Sequence, residues 1–142
     1  MLPISSLDSL RARKFKITPC RRHMIELFER EKRPLSAHAM NMLLKKNYGI
    51  LVNKTTIYRE LDFLVREGIV KTLRLNERHI YYETSNLPHH HHLICTSCND
   101  IKEITIEDSL HTLEQRLAKT NRFTISAHAL EFFGLCHKCK TI

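Results

Sequence analysis

Two Cys-x-x-Cys pairs decide more about this 142-residue chain than any other feature. Cys95-Thr-Ser-Cys98 and Cys136-His-Lys-Cys139 stand 37 residues apart. One such pair offers two thiolates at a turn; two pairs offer the four sulfurs of a closed tetrahedral zinc site. Redox Cys-x-x-Cys pairs usually occur singly, beside a strand–helix–strand pattern, so a shared zinc is the better reading. Four thiolates leave no open coordination position, so this zinc is expected to be structural rather than catalytic.

Just before the first pair, in "NLPHHHHLICTSCND" (residues 86–100), four histidines stand in a row. If residues 89–95 form a strand, side chains alternate between its faces. His90 and His92 then project one way, His89 and His91 the other. Residues i and i+2 lie about 6.5–7 Å apart along a strand, and two imidazoles at that spacing can converge on one ion with bonds of about 2.0–2.1 Å. One run of four therefore supplies two ligands to each of two sites, and Pro88 suits the first position of such a strand. A solvated histidine-rich loop is the plainer alternative. Further ligands must come from elsewhere: Glu83, Glu103, His111 on the helical pattern Ile106/Leu110/Leu113/Leu117, and His128 on the strand-like "RFTISAHALEFFGLC".

The net charge of +8 is unevenly spread. Residues 1–86 carry 17 Lys and Arg against 9 Asp and Glu, whereas residues 87–142 carry 6 of each. A basic half followed by a ligand-rich half suggests two domains, placed at 1–84 and 85–142. The basic half reads as a polyanion binder; ordinary solubilising surface charge is the competing explanation. No apolar run reaches about 18 residues, so no membrane span is expected. The N-terminal stretch lacks the apolar core of a signal peptide. A cytoplasmic location is expected, where thiols stay reduced and favour metal over disulfides.

Three helical patterns precede residue 70. Thr18 can cap a helix with Pro19 at its first position, with Ile25 and Phe28 on one face. Ser36 can cap a second, with Met40, Leu43 and Leu44 as its apolar stripe and Gly49 as its stop. In "NKTTIYRELDFLVREG", Ile57, Leu61, Leu64 and Val65 form the apolar face, while Thr55, Arg59, Asp62 and Arg66 face away and Tyr58 lies at the edge. Two β-forming stretches follow, "IVKTLRL" and "HIYYET", joined through "NER". Helices followed by a two-stranded wing describe a winged helix-turn-helix. Its third helix would enter the DNA major groove and present Thr55, Tyr58 and Arg59 to bases and phosphates.

Together these stretches resemble the ferric uptake regulator (Fur) family of metal-responsive repressors. The resemblance runs from about Lys16 to Cys139, through "ITPCRR", "TTIYRELDFLVREGIV", "YYET", "HHHHLICTSC" and "HALEFFGLCHKC". It implies an α+β fold: an N-terminal winged helix-turn-helix domain, a hinge, and a small α/β dimerisation domain. It implies a structural zinc on Cys95, Cys98, Cys136 and Cys139, and a sensing site on Glu83, His90, His92 and Glu103. It implies a third site on His89, His91, His111 and His128, the His111 placement requiring one inserted residue before "DSLH". Many relatives have Asp at the His91 position and Glu at the His111 position. The family often adds a histidine where this chain has Pro34. An all-imidazole third site favours Zn, Cu, Ni or Co over harder ions. The absent histidine and "YRELDFL" are similar to the zinc-uptake branch, whereas Glu83 is closer to the iron branch. The regulatory ion is expected to be Fe(II), Zn(II) or Mn(II).

The expected protein is thus a homodimeric repressor of a palindromic operator in double-stranded DNA, controlling iron or zinc homeostasis. Lys16 and Arg21 are expected to reach the DNA backbone or minor groove. The alternatives are a peroxide-sensing member of the same family, which typically has Asp where Glu83 stands, and a cytosolic metal buffer or metallochaperone, which needs no basic half. An enzyme is disfavoured: no His-Glu-x-x-His helix occurs. Cys20, in the first helical pattern, reads as a small buried hydrophobe.

Overall fold

Ser5 caps a short helix that the apolar patterns do not announce, α1 (Ser6–Ala12), its hydroxyl accepting the Asp8 amide at 3.1 Å. The computed structural model describes residues 5–74, 78–106 and 109–140. The proposed "NER" turn, with Asn76 and Glu77, and Asp108 of "DSLH" lie outside these residues. The chain forms two compact units, one running to Leu87 and the other beginning at Pro88. The turn after Thr84 stays with the first unit because the Ser85 backbone amide bonds to the Ile69 carbonyl at 2.9 Å and the Asn86 side-chain Nδ2 donates to Ser6 Oγ at 3.5 Å.

In the first unit α2 (Pro19–Glu31) starts at Thr18, whose side chain accepts the Arg21 amide at 3.2 Å. Strand β1 (Leu35–Ser36) runs into α3 (Ala37–Tyr48), capped by Ser36 and ended by Gly49 at φ 66°, a left-handed conformation that glycine adopts without strain. Helix α4 (Lys54–Arg66) is capped by Asn53, and its Ile57, Leu61 and Leu64 are fully or almost fully buried. Phe63 is buried as well, although it lies off that stripe. Strands β2 (Val70–Arg74) and β3 (Ile80–Thr84) pair antiparallel, and β1 joins the other edge of β3. One core of side chains from α1, α2, α3, α4 and the sheet holds this winged helix together, including Leu10, Phe28, Met40, Leu61 and Tyr82.

In the second unit β4 (His91–Cys95) is central, antiparallel to β5 (Ile101–Ile104) and parallel to β6 (Glu131–Gly134). Parallel neighbours need a crossover, and α5 (Ser109–Asn121) lies within it. The strand starts at His91 rather than His89, and in "RFTISAHALEFFGLC" only residues 131–134 are strand. Each limit follows the pairing: β4 begins at His91, opposite Ile104 of β5, and β6 is strand only where it pairs with β4, from His92↔Glu131 to Cys95↔Gly134.

Candidate metal centres

The end of β4 and the residues after β6 bring the two Cys-x-x-Cys pairs together. The ligating atoms of Cys95, Cys98, Cys136 and Cys139 all lie within 4.8 Å of one another. Cys98 Sγ and Cys136 Sγ are 3.7 Å apart, close to the edge of about 3.8 Å expected for a tetrahedron with Zn–S bonds of about 2.3 Å. All four cysteines are free thiols. Asn99, at φ 61°, bends the first turn, and the Cys139 and Lys140 amides close the second on the Cys136 carbonyl.

The electrostatics point the same way. The Cys98 and Cys136 amides hold the Cys95 thiol down at about 6. The Asp100 amide favours the Cys98 thiolate, but the adjacent sulfurs, Cys95 foremost, push it up to about 12. Cys139 is raised too: Ser97 lowers it, and Cys136, burial and Cys95 together outweigh that. The backbone thus favours a thiolate at Cys95, while hydrogen bonds among the sulfurs keep protons on Cys98 and Cys139. Four thiolates in this space fit a soft divalent cation.

The histidine run divides as alternation requires, although His89 and His90 precede the strand. On one side the His90 and His92 rings lie with centroids 4.8 Å apart. On the other, His89, His91 and His128 bring ligating atoms within 4.8 Å of one another. His128 Nε2 is 3.0 Å from His89 Nε2 and 3.4 Å from His91 Nε2. Bonds of about 2.0–2.1 Å to one tetrahedral ion would set such atoms about 3.3–3.4 Å apart. His91 Nδ1 donates to the Leu130 carbonyl at 3.1 Å, and His128 Nδ1 bonds to Glu114. With those protons on Nδ1, the two Nε2 lone pairs face each other and repel unless a cation stands between them. The donor set therefore fits a borderline metal.

His111 is a correction. It sits on α5 but hydrogen-bonds Gln115 at 3.1 Å and is absent from the histidine cluster; Glu114, one turn further on, is the α5 residue that reaches His128. Glu103 pairs in register with His92, shares its face and is exposed. The carboxylate that bonds the His92 ring is Glu131, at 3.1 Å from Nδ1, a residue the sequence patterns passed over. Glu83, in β3 of the first unit, is buried and pairs with Lys71 across the sheet at 3.2 Å.

The outer face of α4 carries Thr55, Tyr58 and Arg59, all exposed, with the Lys54 ammonium 6.0 Å from the Tyr58 ring centroid. Lys16 is exposed. Arg21 departs from expectation: its guanidinium grips both Glu60 oxygens at 2.9 and 3.1 Å, donates to the Lys16 carbonyl at 2.7 Å and lies 3.7 Å above the Phe63 ring. It pins α2 to α4 and is not presented to phosphates. Cys20 is half-buried beside Met24, and burial pushes its thiol up, as suits a packing residue.

The sequence profile of the ferric uptake regulator family matches residues 12–133. The ferric uptake regulation protein of Bacillus subtilis is 31% identical over 134 residues, covering 92% of this chain and 89% of its own length. That of Synechococcus elongatus is 33% identical over 135 residues, covering 92% and 90%. The ferric uptake regulator of Francisella tularensis, solved with iron, superposes with a TM-score of 0.80 at 28% identity, over 89% of this chain and 96% of that one. Among the described residues no helix is long and apolar enough to cross a membrane. With the profile spanning most of its length, this chain belongs to the ferric uptake regulator family, which makes it a metal-responsive transcriptional regulator and not an enzyme.

Proposed function

We propose that this chain is a homodimeric repressor that binds a palindromic operator in double-stranded DNA when a regulatory Fe(II), Zn(II) or Mn(II) is bound, and so serves iron or zinc homeostasis. The division of the histidine run is the observation that carries this reading: two imidazoles face one side and three gather on the other. A protein with one purpose for its metal, such as storage, needs no such separation beside an exposed, basic recognition helix. In this proposal Glu83, on the DNA-binding unit, shares the regulatory ion with His90, His92 and Glu103 on the other unit. When bound, that ion supplies coordination bonds whose free energy offsets the entropy of fixing the hinge. A fixed hinge sets the spacing of two α4 helices, which must match two half-sites about one helical turn, or a multiple of it, apart. Tyr58 reads base edges from the face of α4, Thr55 and Arg59 meet bases and phosphates, and Lys16 meets the backbone.

Dimerisation is supported by the second unit's surface. Leu93, Leu113, Leu117, Phe123, Phe132 and Phe133 are exposed in the single chain, from 37% to 67%. Exposed large apolar side chains in such number call for covering by a partner, and a second copy of the same unit is the proposed occupant.

The test is binding of zinc-loaded protein to palindromic DNA, titrated with each of Fe(II), Mn(II) and Zn(II). One of these ions should tighten operator binding strongly, with a steep salt dependence from several phosphate contacts. Equal binding with and without added metal would overturn the reading, and metal uptake without any DNA binding would favour a buffer.

A further inference from the structure

Each of four rings in the two histidine clusters has its Nδ1 on an oxygen. His90 bonds the Pro88 carbonyl at 2.7 Å, His91 the Leu130 carbonyl at 3.1 Å, His92 the Glu131 carboxylate at 3.1 Å and His128 that of Glu114. A carbonyl or carboxylate oxygen only accepts, so in each case the ring proton sits on Nδ1, and any metal on that ring must bind Nε2. Glu131 is notable among these partners. In "HALEFFG" it is the one charged residue of β6, followed by two phenylalanines. The parallel pairing sets it directly beside His92, and paired residues of adjacent strands share a face. His92 is nearly inaccessible, with its side chain 3% exposed against 26% for Glu131. A shift of one position would put Leu130 or Phe132 there, and neither can take the proton.

We propose that Glu131 is a positioning residue of the regulatory metal site, accepting the His92 Nδ1 proton and so committing Nε2 of that ring to the ion. This rests on the reading of His92 as a ligand. A carboxylate behind an imidazole fixes the tautomer and the ring rotation and raises the basicity of the ligating nitrogen. Glu114 stands in the same relation to His128, so each cluster has one carboxylate-backed histidine. Glu131 itself remains outside the coordination sphere, unlike a carboxylate that ligates the ion directly.

The test uses full-length protein with its structural zinc in place and His91→Ala to disable the three-histidine cluster. Co(II) affinity is measured by chelator competition. Glu131→Ala should weaken Co(II) binding by about 10–100-fold. Glu131→Gln, whose amide oxygen still accepts from Nδ1, should stay within a few-fold, roughly, of the parent. Nitrogen NMR of the same proteins without Co(II) should show His92 protonated on Nδ1 in the parent and in Glu131→Gln, and a tautomer mixture in Glu131→Ala. Equal losses for Gln and Ala would make Glu131 a ligand or a bare charge and overturn the proposal. No change in either variant, in affinity or tautomer, would overturn it as well. Unchanged Co(II) affinity in His92→Ala would overturn His92 as a ligand, and the proposal with it, by a separate signature.

Discussion

Sixteen buried apolar side chains, from Leu10 to Tyr82, fill the first unit; among the described residues of the second, Ile94 and Cys95 are the buried apolar ones. The first unit follows the ordinary route, in which amphipathic helices and a small sheet bury one core. The second begins at Pro88 and is too small to bury much surface by itself. Its four clustered cysteines gather at one end of the sheet, and its large apolar residues are exposed in the single chain. The lesson is a division of labour. In the proposed reading, DNA recognition sits on a scaffold whose core needs no metal, whereas the unit that handles metal also draws folding free energy from it.

Breaking the zinc site should separate the two units most strongly. Cys98→Ser is expected to release one zinc per chain and to remove a contribution on the order of 10 kcal/mol from the second unit. By zinc analysis, sedimentation and thermal melting, that variant should lose metal and dimer while the first unit's transition stays put. A dimer that survived with unchanged melting would mean the zinc is not structural. The reciprocal change is smaller. Leu61→Ala empties a fully buried position of α4 and should cost the first unit about 2–5 kcal/mol with zinc content unaltered. A loss of zinc in that variant would show that the units do not fold separately.

Acidity sharpens the contrast by a lesser amount. Cys95 is depressed from 9.0 to about 6, so in metal-free protein its thiolate stabilises the second unit above pH 9.0, and that contribution fades as the pH falls through about 6. Cys98, raised to about 12, and Cys139, also raised, keep their protons at neutral pH, so zinc must displace them. Zinc affinity should therefore climb between about pH 6 and pH 8, with proton release on binding, while the first unit's stability has no such dependence. A flat affinity profile would place these thiolates already charged before zinc arrives.

Much of the first unit was legible because its signals are local. Thr18, Ser36 and Gly49 mark helix ends within a turn of the residues they cap. The Ser5 and Asp8 cap of α1 was equally local and lay in plain view; the helix is short, and only Leu10 on it is a buried large apolar residue. What was not legible depends on partners far along the chain. Arg21 meets Glu60 across 39 residues, and nothing near it in sequence says whether it faces solvent or a carboxylate. His92 meets Glu131 across the same separation, fixed only by the register of two parallel strands. His111 and Glu114 lie three residues apart on one helix face, so periodicity could not choose between them. The alternation of the histidine run, by contrast, followed from backbone geometry alone and holds even where the strand has not begun.

The proposed regulation depends on that alternation, and operator affinity against free metal for four single variants probes it directly. His90→Ala and His92→Ala should each abolish metal-dependent operator binding, since each removes a ligand from the regulatory site. His89→Ala and His91→Ala should leave most of that binding intact and lower the occupancy of a second metal instead. Four similar losses, or a pairing of 89 with 90 and of 91 with 92, would contradict the division of the run between two sites.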